Sequence, residues 1–197
     1  MSSTDEDLLE ALEPTSTTTD EDIMRMIKNG ADVNALNDVN QNALQLIAVN
    51  NRIGLFLTII ANTDDINHRD VWGHTALMLA VINDNIDVVK ALMMDTRVKI
   101  NIQTHDELEN TALHFAVLRK NYEMVEQLMG KTEHNIVEEF ADGKIDTEIR
   151  NADKETAWDI AWRNRDYEIA SLIGRRYFTR QSAKAAQPGH DDFNLRF

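Results

Sequence analysis

The chain has no cysteine in its 197 residues, which excludes disulfides, thiolate chemistry and cysteine-ligated zinc but fixes no compartment. Basic residues are scarce, 20 against 34 acids, for a formal net charge of −14. A phosphate-backbone binder neutralises its ligand with Lys and Arg, so this balance argues against nucleic acid and for a basic protein or peptide. No apolar run approaches the length of a membrane span, so no membrane partner is expected. The opening MSSTDEDLLEALEP has neither the positive charge nor the apolar core of a secretory leader. Also missing are G-x-S-x-G, H-E-x-x-H, G-x-x-x-x-G-K-[ST] and G-x-G-x-x-G, the common nucleophile, zinc and phosphate motifs. Carboxylates abound, but spacing places no pair in an identifiable cleft. The expectation is a soluble protein that is no enzyme and needs no cofactor or metal. Turnover by unrecognised carboxylates stays open as a minor alternative.

What is present is repetition. Hydrophobic residues make up 43% of the chain, enough to bury a core, and they recur in register. The step Asn42-Ala43-Leu44 returns as Thr75-Ala76-Leu77, Thr111-Ala112-Leu113 and Thr156-Ala157-Trp158, so its third residue advances by 33, 36 and 45. An aliphatic residue followed by Asn marks the same period at Val33-Asn34, Ile66-Asn67 and Ile100-Asn101, with Ile149-Arg150 as the last, altered copy.

The clearest unit runs from Asp70 to Gln103. Gly73 supplies a turn with φ > 0, and Thr75 is placed to cap a helix. Leu77, Ala80 and Val81 then fall at helical spacing, as do Val88, Val89, Leu92 and Met93 in a second helix from Ile86. Val98, Ile100 and Ile102 end the unit in a brief β-type alternation. Neither helix is long enough to stand alone, so the unit must pack on its neighbours.

These residues resemble the ankyrin repeat, whose pattern is D-x-x-G-x-T-P-L-H-x-A, a second helix, then G-A-D-V-N-A. Gly30-Ala31-Asp32-Val33-Asn34-Ala35 matches the last motif letter for letter. Thr111-Ala112-Leu113-His114-Phe115-Ala116 matches the first, with Ala112 in place of proline. The resemblance spans about Asp20 to Phe178. It implies an all-α repeat solenoid, an ankyrin-type stack of helix-turn-helix units joined by β-hairpin-like loops. The expected divisions are a degenerate N-terminal capping repeat at 1–36, repeats at 37–69, 70–105 and 106–150, a C-terminal capping repeat at 151–180 and a flexible tail at 181–197.

In chain order, Ser3-Thr4-Asp5-Glu6 is a capping-box pattern ahead of Leu8, Leu9, Ala11 and Leu12, and Pro14 ends that helix. Thr18 and Glu21 repeat the pattern ahead of Ile23, Met24, Met26 and Ile27. Residues 1–40 hold ten acids against Arg25 and Lys28, the polar outer face that a solenoid end requires or else an acidic docking surface. Asn40 stands at the turn-glycine position, where Asn tolerates the left-handed conformation. Gly54 to Ala61 is apolar nearly all round, through Leu55, Phe56, Leu57, Ile59 and Ile60, and is expected to be buried. Glu109 occupies the next turn-glycine position, and the resemblance makes His114 a strut to Thr111.

Between Gly130 and Glu148 the period stretches, with Glu133, Glu138, Glu139, Asp142, Asp146 and Glu148 against Lys131 and Lys144, an acidic insertion (131–148). A calcium loop at Asp142-Gly143-Lys144-Ile145-Asp146 fails, because Phe140 and Ile149 occupy two required ligand positions. An insertion in one repeat maps to one face, often the binding one. Trp158 and Trp162 read as core or cap packing. Residues 151–197 hold eight basic against seven acidic residues, so the molecule is polarised. The two phenylalanines after Gln187 make either a frayed terminus or a short docking peptide.

The resemblance places function in variable residues on the concave side. These are Val39, Gln41 and Val49 in the first full repeat, and Val71, Trp72, His74 and Ile82 in the next. The third supplies Glu107, Leu108, Asn110, Leu118 and Arg119, and the fourth Asp153, Glu155 and Arg163. An apolar centre with charged flanks matches an interface core and rim, and Trp72 is the leading anchor. The expected function is a non-catalytic module, monomeric, that binds a protein partner. The alternative is a dedicated acidic inhibitor, immunity factor or escort chaperone that masks a basic protein. Such stacks occur in cytoplasm, in nucleus and among proteins delivered into hosts.

Overall fold

The computed structural model describes residues 2–132, 135–136 and 145–174, with side chains described at 2–130 and 145–174. The remainder of the acidic insertion, the rejected calcium loop and residues 175–197 lie outside the described residues. In chain order the elements are α1 (Ser3–Leu12), α2 (Asp20–Lys28), α3 (Ala43–Asn50), a 3-10 turn (Ile53–Leu55) leading into α4 (Phe56–Ile60), α5 (Ala76–Ile82), α6 (Ile86–Met93), α7 (Ala112–Leu118) and α8 (Tyr122–Leu128). A two-residue antiparallel pair, β1 (Lys131–Thr132) with β2 (Asn135–Ile136), precedes α9 (Ala157–Arg163) and a further helical segment at 167–174. Consecutive helix pairs stack with α3 on α5, α5 on α7 and α7 on α9, and α1 and α2 close the N-terminal end. The result is an all-α repeat stack.

Four cap residues set its frame. Asn42, Thr75, Thr111 and Thr156 have extended backbone, and their side-chain oxygens accept the N–H three residues on. This satisfies one of the donors that a helix start leaves unpaired. Two residues after the cap, Leu44, Leu77 and Leu113 are buried, each burial contributing about 2–3 kcal/mol. Ala43, Ala76, Ala112 and Ala157, one residue after the cap, are buried too and let the helices approach closely.

At the N-terminus the caps lie one residue away from those expected: Ser2 with Asp5 for α1, and Thr19 with Asp22, in place of Thr18, for α2. The Gly54–Ala61 helix also differs. Its tight first turn shifts the apolar faces, so that Leu55, Phe56, Ile59 and Ile60 are buried while Leu57 is 79% exposed. The Val98–Ile102 alternation forms no strand; Val98 and Ile100 are buried and Ile102 packs against the core from a loop.

Left-handed backbone recurs in the same frame. Asn40, Gly73, Glu109 and Lys154, two residues before each cap, all have φ between 52° and 86°. Asn51, Asp84, Lys120 and Arg165, nine residues after each cap, have φ of 53–60° and reverse the chain between paired helices. Side chains at such sites cost about 1–2 kcal/mol. Gly73 has a second reason to be glycine, because a Cβ there would lie 2.5 Å from the His105 backbone nitrogen.

An asparagine ladder sets the register of the loops. Asn34, Asn67 and Asn101 each accept on Oδ1 a backbone N–H from the following repeat, those of Asp64 (2.9 Å), Lys99 (2.7 Å) and Asp146 (2.8 Å). The Asn34 and Glu148 N–H groups both donate to an aspartate two residues earlier, Asp32 and Asp146. The fourth copy of the Val33-Asn34 landmark is therefore Thr147-Glu148, and not Ile149-Arg150. Ile145 and Thr147 are buried, so regular packing has resumed by that point. Two of the three extra residues in the step of 36 lie in the hairpin, and the third lies before Ile100-Asn101. The hairpins close 37 to 41, 70 to 74 and 151 to 155, but the third closes 104 to 110, two residues longer.

His114 is a strut, as the resemblance implied, and it reaches further than Thr111. Its Nδ1 accepts the Thr111 N–H (3.2 Å), and its Nε2–H donates to the Glu155 carbonyl of the next repeat (3.1 Å). Gln45 reproduces both bonds, accepting from Asn42 N–H (3.1 Å) and donating to the His74 carbonyl (2.8 Å). Met78 stands at the same position in the intervening repeat.

Two outcomes follow. Gly73→Ala should lower the urea-unfolding free energy by about 2 kcal/mol, whereas Lys154→Gly should raise it by about 0.5–1 kcal/mol by relieving a left-handed side chain. Burial depresses the His114 pKa, the bonding to Glu155 offsetting this only in part. The unfolded chain therefore takes up the proton first as pH falls below about 6.5, and stability declines from there down to the folded pKa. Equilibrium unfolding of His114→Gln should keep the stability at pH 7.5 and lose that decline, while His114→Ala should cost about 1–3 kcal/mol.

Candidate functional site

Counted from the caps, the expected contact residues fall into three rows. Val39, Trp72, Leu108 and Asp153 lie three residues before a cap, with Val71 and Glu107 beside them. Gln41, His74, Asn110 and Glu155 lie one residue before. Val49, Ile82, Leu118 and Arg163 lie seven after, with Arg119 next to Leu118. The first two rows are on the hairpins and the third is at the far ends of α3, α5, α7 and α9, about 10 Å away along a seven-residue helix.

The hairpin row is open to solvent. Val71, Trp72 and Leu108 are about half exposed, Trp72 at 47%, and Glu107 and Asp153 are exposed. Backbone bonds tie the tips together: Val71 N–H donates to the Val39 carbonyl (3.1 Å) and Ala152 N–H to the Leu108 carbonyl (3.0 Å), while His105 Nε2 lies 3.3 Å from the Val71 carbonyl. The exposed side chains thus stand on a continuous rail.

The row just before the caps has a different job. Asn110 is 1% exposed, and its Oδ1 accepts from Asn151 Nδ2 of the next hairpin (3.2 Å), so it is a brace that no partner reaches. Gln41 donates from Nε2 to Asp70 of the next hairpin (3.2 Å). His74 lies 3.3 Å from the same carboxylate, which also accepts the N–H groups of Trp72 (3.0 Å) and His74 (2.8 Å). Burial works against the Asp70 charge, but the bonds from His74 and Gln41 outweigh it and hold its pKa below the ordinary carboxylate value. Glu155 is partly buried and receives the Arg163 guanidinium at 2.7 and 2.8 Å.

At the helix ends Val49 and Ile82 are half-buried and Leu118 is exposed. Arg119 forks onto Asp84 of the preceding repeat, its Nε 3.1 Å from each carboxylate oxygen, and Asn121 Nδ2 joins them (2.9 Å). Those two donors hold Asp84 below the usual carboxylate range. Pairs this exposed stabilise by less than about 1 kcal/mol each.

One residue of this surface was absent from the expected set. Phe115 is partly buried, its ring centroid 5.7 Å from that of His74, which lies 6.1 Å from that of Trp72. Its register position, four after the cap, holds Leu46, Leu79 and Ile160 in the other repeats, all buried; a single aromatic at an aliphatic position was the available signal. The three rings run from one hairpin onto the first helix of the following repeat. Among the described residues, no group of His, Asp and Glu is arranged to hold a metal ion, and no helix is long and apolar enough to cross a membrane.

Capped helix pairs joined by linked hairpins, stacked through buried leucine and alanine rows, define a helical repeat protein of the kind that binds other proteins. The family profile described as ankyrin repeats (3 copies) matches residues 15–104 and 53–138, and the chain belongs to the ankyrin repeat family. No curated protein matches the chain.

The brace and the exposed row should separate by stability. Asp70→Ala strands the Trp72 and His74 amides and should lower the unfolding free energy by about 1–3 kcal/mol. Trp72→Ala, at a half-exposed site, should cost less than about 1 kcal/mol in the same urea titration.

Proposed function

We propose that the exposed hairpin row and the aromatic line behind it form a docking surface for a protein partner, with Trp72 as anchor. Val71, Trp72 and Leu108 form its apolar centre, continued by Leu118 and Ile82 along the first helices. Glu107, Asp153, Arg119 and Arg163 make the charged rim. The observation that carries this reading is the half-exposed Trp72 ring between two exposed aliphatic residues, Val71 beside it and Leu108 on the next hairpin tip, to which His105 links it. Apolar side chains in that setting leave water on binding, and tryptophan is among the commonest sources of binding energy. Asn110 is excluded by its burial, and Gln41 and His74 act by shaping the tips.

The acid excess favours a partner with a basic contact face. Ten acids in residues 1–40 against two basic residues put negative charge at one end of the stack, and a field of that sign raises the encounter rate with a basic protein. The same charge suits a protein that masks a basic client, the second reading of this surface.

The test is affinity capture from native lysate with the wild-type chain and with Trp72→Ala combined with Leu108→Ala. Proteins held by this surface should be captured by the first and lost from the second; identical recovery by both overturns the assignment. With a captured partner in hand, the association rate should fall steeply between about 50 and 500 mM salt if the acidic ends steer the encounter.

A further inference from the structure

The C-terminal end of the stack exposes a face that every earlier repeat buries. Each first helix turns the positions two, three and six residues after its cap toward the following repeat, as the bonds from Gln45 and His114 to the His74 and Glu155 carbonyls show. Leu44, Leu77 and Leu113 hold the first of these positions and Ala48, Val81 and Val117 the last, all buried. In α9 the same positions carry Trp158, Asp159 and Trp162. Trp158 is half-buried and Trp162 is 56% exposed, so the expectation of core or cap packing fails for the second ring.

The two indoles stack, with centroids 5.3 Å apart and planes 17° from parallel, and Tyr167, 57% exposed, meets Trp162 edge-on at 5.4 Å. Gly174 makes room for this arrangement. It stands where Ile60, Met93 and Met129 stand in the earlier repeats, and a Cβ on it would lie 3.3 Å from Trp158 Nε1. An exposed plate of three aromatic rings is a large apolar surface for a protein to leave in water.

We propose that residues 175–197 of this chain cover the plate and close the stack from within. The chain passes Gly174 beside Trp158, so the segment starts at the edge of the plate. Its 23 residues exceed the 19 that the helix pair from Thr75 to Met93 occupies. The charge is complementary: Arg175, Arg176, Arg180, Lys184 and Arg196 against Asp191 and Asp192 give it +3, while residues 151–174 hold five acids, Asp153, Glu155, Asp159, Asp166 and Glu168, against Lys154, Arg163 and Arg165, a net −2. Asp159 is already engaged by Thr156 and Arg150, so the tail's arginines would meet the indoles themselves, on whose faces guanidinium groups settle. Tyr177, Phe178, Phe193, Leu195 and Phe197 supply the apolar cover.

Because the chain lacks cysteine, one introduced thiol carries one label. A nitroxide on Asn194→Cys in the full-length ¹⁵N-labelled protein should remove the indole N–H signals of Trp158 and Trp162 while that of Trp72 remains, and chemical reduction of the nitroxide should restore them. Trp162→Phe and Trp72→Phe together assign the three signals. Retention of all three, or equal attenuation of all three, overturns the proposal. A mixed sample, unlabelled ¹⁵N chain with spin-labelled chain of natural isotope abundance, should lose nothing; attenuation there means that a second copy covers the plate, which also overturns it.

Discussion

The stack depends on one constraint: no helix in its central repeats is long enough to be stable alone. Seven or eight residues fall short of the dozen or more that an isolated helix needs in water, so each helix persists only through the face it presses on a neighbour. The alanines one residue after the caps and the leucines two after make that contact intimate. The polar bonds across it are few and directional. Gln45 and His114 each spend both ends of one side chain on two repeats, and the asparagine ladder does the same along the loops.

This constraint also divides the hairpins into two populations of side chain. Residues just before the caps look inward and sideways, Gln41 and Asn110 to the adjacent hairpin and His74 to Asp70 of its own, and set the pitch of the rail. Of the residues two positions earlier, Trp72, Leu108 and Asp153 are exposed and make no brace, and Val39 is partly buried. Substitutions at Trp72, Leu108 and Asp153 would therefore leave the braces at Gln41, His74 and Asn110 in place. Exposed tips and buried or partly buried braces lie two residues apart in sequence.

The frame was legible in the sequence because cap chemistry and left-handed turns are local and recur. Thr75, Thr111 and Thr156 announce their helices, and Asn40, Gly73 and Glu109 hold positive φ as their positions required. What escaped notice depends on a neighbour. Nothing within the third hairpin says that Asn110 will meet Asn151, and nothing near Phe115 says that its ring will extend a line from Trp72. The exposure of Leu57 follows from a single tight turn before α4. That of Trp162 follows from its position at the last helix pair described. The landmark at Thr147-Glu148 was hidden because its residues changed while the backbone bond to Asn101 did not.

Met78 sets one junction of the stack apart. The junctions on either side of its repeat differ: Gln45 spans one with a rigid amide fixed at both ends, whereas Met78 offers the other a thioether on three rotatable bonds, with no direction to defend. The directional bonds of that second junction lie at its edges instead, in the Arg119 fork on Asp84 at the helix ends and the Asp146 N–H on Asn101 along the loops. Trp72 and Leu108 sit on opposite sides of that seam. The largest exposed ring of the rail therefore stands beside a junction whose helix interface is packed rather than bonded at the Gln45 and His114 position.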